Sequence, residues 1–123
     1  MAPRRLGVGL VYVPELDPVV AAGPGTVAVV ELEIQTFWEK VADGVQGWRY
    51  RANEPLLERV AGALRERGQA TLLHGVGQPV GAATGDPVDH LTLLQHAVGM
   101  FDPEWVSEHL SVNRVSTRDG PEQ

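Results

Sequence analysis

Four short apolar runs recur along the chain, at residues 7–13, 27–34, 70–74 and 105–110. Each is rich in Val, Leu or Ile and too short for a helix, so each reads as a strand. Helical signals lie between them. Asn53 is placed to cap a helix with Pro55 in its first turn. Leu56, Leu57, Val60 and Leu64 recur at helical spacing, and Gly68 suits the C-terminal cap. Asp86-Pro87 marks another helix start, and Leu91, Leu94 and Val98 continue its apolar face. A shorter helix is predicted over residues 14–22. Strands alternating with helices imply a parallel sheet with helical crossovers. The first and fourth strands start at residues 7 and 105, so each βα unit takes roughly 33 residues. Eight units would need about 260, close to the ~250 of an eightfold βα barrel. The 123 residues here hold about half of that. The expected fold is therefore α/β, four parallel βα units over residues 1–115, with a polar, frayed tail at 116–123.

Composition narrows the function. Hydrophobic residues at 43% supply enough side chain for a core, which excludes a wholly disordered chain. The longest apolar run, residues 6–13, is too short to span a membrane and contains glycines. It lacks a small-residue cleavage pattern, so it reads as a first strand in a cytoplasmic protein, not a signal peptide. The formal net charge of -6, without a basic cluster, argues against nucleic acid and anionic lipid. The absence of cysteine excludes disulfides, thiolate nucleophiles and Cys-held metals.

Chemistry-bearing residues gather at strand ends. Glu31, Glu33 and Gln35 alternate with Val30, Leu32 and Ile34, so they are expected to share one face. The third strand ends in His74, followed by Gly75-Val76-Gly77. The fourth ends in Ser107-Glu108-His109. Active sites of βα barrels are built at the C-terminal strand ends, where Glu33, Gln35, His74, Glu108 and His109 would converge. Carboxylate and imidazole suit iron, manganese or zinc. A lone histidine at a strand end is more often a hydrogen-bonded structural residue, so the case rests on three strand ends meeting. Gly-Val-Gly by itself is a weak phosphate signal and needs no role beyond a sharp turn. His90 and His96 read as surface or packing residues, and Trp38, Trp48 and Trp105 as packing residues.

These segments resemble a known family. Leu72-Leu73-His74-Gly75-Val76-Gly77, Pro79-Val80-Gly81, Asp86-Pro87 and His90-Leu91 resemble a stretch of the DUF692 family, the multinuclear non-heme iron-dependent oxidative enzymes. Trp105-Val106-Ser107-Glu108-His109-Leu110-Ser111 resembles its Ser-Glu-His-Leu motif. Gly7-Val8-Gly9-Leu10 and Val30-Glu31-Leu32-Glu33-Ile34 resemble its first two strands. The resemblance runs over residues 6–114. It implies a barrel like that of xylose isomerase, holding two or three iron ions. Such enzymes use oxygen to modify ribosomally made precursor peptides, usually presented by a partner protein. It also implies His74 and Glu108 as metal ligands, with Glu33 and Gln35 as weaker candidates and His109 bracing the site. Many members have histidine where Gln35 stands, and Gln is a poor iron ligand beside imidazole. The family's remaining ligands would come from strands beyond residue 123.

The reading is an N-terminal half-barrel of such an enzyme, inactive alone, that self-associates or awaits the missing half. Two alternatives remain: a truncated, non-catalytic partner-binding module, and a fragment of a metal-dependent sugar isomerase or endonuclease-like barrel.

Overall fold

The structure, a computed structural model, describes residues 2, 4–45, 47–76 and 90–110. In chain order the elements are β1 (Gly9–Val11), a 3-10 turn (Pro14–Leu16) running into α1 (Asp17–Val20), and β2 (Val29–Glu33). A second 3-10 turn (Ile34–Phe37) leads to β3 (Trp38–Asp43), β4 (Gly47–Ala52) and α2 (Glu54–Arg67). Then come β5 (Ala70–Gly75), α3 (His90–Phe101) and β6 (Val106–Glu108). β1, β2, β5 and β6 form one parallel sheet in that order. The four sequence-predicted strands are thus parallel neighbours in chain order. The fold is α/β.

Each helix follows from local chemistry. The Asn53 side chain accepts a hydrogen bond from Leu56 N at 3.1 Å, capping α2. Gly68 ends α2 with φ 70, a left-handed conformation that glycine adopts without strain. The predicted start of α3 at Asp86-Pro87 lies outside the described residues. Its inward face is His90, Ala97 and Phe101, with Leu94 partly buried. Leu91 and Val98, expected inward, are exposed at 55% and 37%. Aromatic contacts explain the rotation: Phe101 packs on Phe37 with ring centroids 5.4 Å apart, and His90 on Trp38 at 5.0 Å.

The helices cover one face of the sheet. Val30, Leu32 and Leu73 join Val20, Leu57, Val60, Ala61, Leu64, Ala97 and Phe101 in a single core. Their strand neighbours, Val29, Glu31 and Glu33 on β2 and Ala70, Leu72 and His74 on β5, alternate to the other face. No described helix contributes a buried residue to that face. Gln69 ties the layers below the sheet: its Nε2 donates to the carbonyls of Val20 and Val27 at 2.8 and 2.9 Å. Among the described residues no helix is long and apolar enough to cross a membrane.

One element was not foreseen. β3 and β4 form a separate antiparallel hairpin, from Trp38 opposite Ala52 to Asp43 opposite Gly47. Val45 N donates to Asp43 Oδ1 at 2.8 Å and Gly47 has φ 82, so Asp and Gly make the turn. Trp38 packs against the core, but Trp48 and Trp105 are exposed at 37% and 52%, against the expectation that all three pack. They lie on the hairpin arm and at the sheet edge, where no described layer covers them.

Two outcomes follow from this packing. Leu32→Ala removes a fully buried side chain between sheet and helices and should cost about 2–5 kcal/mol in urea unfolding. Burial, and then a 2.8 Å hydrogen bond donated to Asp17 Oδ1, push the Tyr12 hydroxyl from 10.0 up to about 12. Folding therefore favours the neutral phenol. Its contribution is complete below pH 10 and is lost as pH rises toward 12. Tyr12→Phe should flatten that part of the stability–pH profile, and an unchanged slope would assign it to another group.

Candidate functional site

Register decides which strand-end residues meet. Glu33 pairs with His74 and His74 with Ser107, so these three lie side by side across the sheet. In a parallel sheet such partners project to the same face, here the one opposite the helical core. Glu31 precedes Glu33 by two residues and shares that face. His74 Nδ1 and Ser107 Oγ share a hydrogen bond of 2.7 Å. His109, two residues beyond Ser107, sets its ring edge against His74 at 4.6 Å between centroids. The result is a polar row at the C-terminal ends of three adjacent strands, with Ser107 fixing the His74 ring by one nitrogen.

Glu108 belongs elsewhere. It pairs with Gly75, one residue after His74, and so has the opposite pleat parity. A Cβ on Gly75 would collide with the Glu108 carboxylate, so the missing side chain is what admits that group. Glu108 borders a small cavity with Ile34, Trp38, His90 and Leu94, on the helical side. Its Oε1 accepts from His109 N at 2.9 Å. The expectation that His74 and Glu108 converge on one face at the strand ends is therefore corrected: both reach the same end of the sheet, on opposite faces. The physical reason is their odd separation in register.

Gln35 also departs from the expected row. The chain leaves β2 at Glu33 and turns, so Gln35 no longer alternates with Glu31 and Glu33. Its Oε1 accepts from Val76 N at 3.3 Å, tying the end of β2 to the loop after β5, and it lines the same cavity as Glu108. Gly77 and Ser111 lie outside the described residues. Among the described residues no three His, Asp or Glu side chains are grouped so as to hold a metal ion. His96 Nε2 pairs with Glu54 Oε1 at 2.7 Å on the surface, and His90 is buried against Trp38, as surface and packing roles require. The part of Ser107 was missed by the strand-end reading. Its place two residues before His109, in a period-two strand, is the signal that would have grouped the two.

A larger cleft of about 290 Å³ opens at the other end of the sheet, between Arg4, Arg65, Gln69, Thr71, Asp102 and Glu104. Arg4 pairs there with Glu104 at 2.7 Å, and Arg65 donates to the Met100 carbonyl at 2.9 Å. It lies at the N-terminal end of β5, the end that serves stability in βα folds.

The geometry defines an α/β protein whose chemistry-bearing residues line the C-terminal edge of a parallel sheet. Over 51 residues the chain is 45% identical to the UPF0276 proteins of two Caulobacter vibrioides strains, NA1000 / CB15N and ATCC 19089 / CIP 103742 / CB 15. The match covers 42% of this chain and 18% of each relative, so the likeness is local. No family model matches, and no solved structure matches.

Gly75→Ala tests the placement of Glu108. The displaced carboxylate is the end of a flexible side chain, so the cost should be modest, about 1 kcal/mol. Glu108→Ala in the same background should remove most of it in a double-mutant cycle read by urea unfolding. Additive effects would show that the carboxylate does not occupy the space above Gly75.

Proposed function

We propose that residues 1–115 supply the N-terminal half of a βα barrel of the DUF692 kind, as one partial domain; the tail expected at 116–123 lies outside the described residues. The assembled protein would be an iron-dependent enzyme that uses oxygen to modify a ribosomally made peptide brought by a partner protein. The observation that carries this reading is the polar row Glu33–His74–Ser107, at the C-terminal ends of adjacent parallel strands and on the face away from the helices. That is where barrel enzymes build their sites. The local likeness to the UPF0276 proteins adds to it. Since 51 residues are 18% of such a relative, that relative is roughly 280 residues long, near the ~250 typical of a complete eightfold barrel.

The described residues do not by themselves fit an iron centre. Glu108 lies across the sheet from His74, and an amide stands at Gln35. No step through iron is therefore assigned to this chain. Its contribution is His74, held in one orientation, with Glu33 beside it and His109 against its ring. A second reading, a partner-binding module without catalysis, draws on the exposed apolar residues Val11, Trp105 and Val106 at the two sheet edges.

Iron content measured on the chain assembled with the later strands separates the readings. His74→Ala should lower bound iron severalfold while leaving the fold largely intact. Lost stability with unchanged iron would instead make His74 a structural hydrogen-bonding residue, worth about 1–3 kcal/mol.

A further inference from the structure

The two long helices end alike but are capped by different residues. α2 ends at Gly68 with φ 70, and the turn after α3 takes the same left-handed conformation at Asp102, with φ 46. Glycine adopts it freely, whereas a side chain resists it. Among the described residues Asp102 alone, apart from glycines, has a positive φ. Its N–H donates to the Val98 carbonyl at 2.9 Å, so its carboxylate stands at the negative end of the α3 dipole. That is a second unfavourable placement.

The turn is held there from outside. Thr71 Oγ1 donates to the Phe101 carbonyl at 3.1 Å, and Glu104 N donates to the Thr71 carbonyl at 2.9 Å. Arg65 donates to the Met100 carbonyl at 2.9 Å. A disfavoured conformation persists where its surroundings fix it, and such positions gather at ligand sites. Asp102 and Arg65 both line the cleft of about 290 Å³ at the N-terminal end of β5. That volume suits a small molecule.

Charge decides the class of ligand. At the rim Arg4 and Glu104 neutralise each other at 2.7 Å. Among the described residues Arg65 has no acidic partner and Asp102 no basic one, and the two do not pair with each other. Opposite charges held apart on one cleft match a molecule that carries both. Ala61, Leu64 and Phe101 add an apolar floor.

We propose that this cleft binds a small zwitterion of the amino-acid class. Its ammonium meets Asp102, its carboxylate meets Arg65, and an apolar side chain lies on Leu64 and Phe101. The bound ammonium also faces the negative end of α3, which offsets the unfavourable placement of Asp102. The site stands at the opposite end of the sheet from Glu33, His74 and Ser107, so it is independent of the half-barrel reading. A ligand bound only by the folded state stabilises it in proportion to its occupancy.

Free leucine is the probe. Titrated into the purified 123-residue chain, it should raise the melting temperature and shift the amide resonances of Gly68, Asp102 and Glu104 saturably. N-acetyl-leucine lacks the ammonium and leucine amide lacks the carboxylate, so each should bind about tenfold more weakly. Asp102→Gly relieves the backbone and removes the anion. It should melt higher than the parent chain without ligand, yet lose the response to leucine. Arg65→Gln keeps a donor for the Met100 carbonyl but not the charge, and it should also lose the response. The absence of saturable shifts with leucine would overturn the proposal. So would equal binding of the two blocked compounds, or an Asp102→Gly chain that still responds.

Discussion

The pairing of β2 with β5 governs the rest of the structure. Its register sets Val30 beside Thr71 and Leu32 beside Leu73, directing Val30, Leu32 and Leu73 into the helical core. Because side chains alternate strictly, a slip of one residue would move that apolar set to the other face and bury Glu31 and Glu33. The cost of burying unpaired carboxylates makes the observed register strongly preferred. Everything at the candidate site inherits it. Glu33 and His74 lie side by side only because Leu32 and Leu73 are buried together one residue earlier. β6 extends the arrangement, placing Ser107 beside His74 and Glu108 beside Gly75.

The apolar runs made the sheet legible from sequence. Val, Leu and Ile run together where the strands are covered by helices, and each of the four parallel strands overlaps its expected segment. α2 was equally plain, since Asn53, Pro55 and Gly68 each have one local reason to stand where they do. The hairpin escaped because neither of its faces is deeply buried. Glu39 pairs with Arg51, and Lys40 lies over the Trp48 ring at 4.1 Å. Cross-strand pairs of this kind stabilise a ladder without an apolar run to announce it. The inward face of α3 was misjudged for a related reason. Its rotation is set by contacts of His90 and Phe101 with Trp38 and Phe37, in the segment where no element was expected.

The candidate site was half legible. Proximity to a strand end was read correctly for His74, Glu33, Glu108 and His109. Proximity, however, does not determine the face. Ser107, Glu108 and His109 are consecutive, and in an extended chain only the first and third project together. Position in a Ser-Glu-His triplet therefore says less than its register against Gly75. That glycine has two consequences at once: it ends β5, and it leaves room for the Glu108 carboxylate on the helical side.

The face opposite the helices has its own electrostatic logic. Glu31 and Glu33 project from it two residues apart, with His74 beside Glu33. Left in water, such carboxylates cost little. Any cover, whether a second copy or later strands, strips that water and brings further groups toward the same mouth. Two desolvated carboxylates without compensation would oppose closure by several kcal/mol. Apolar contact along the Val11 and Val106 edges favours closure, and the charges at the mouth resist it.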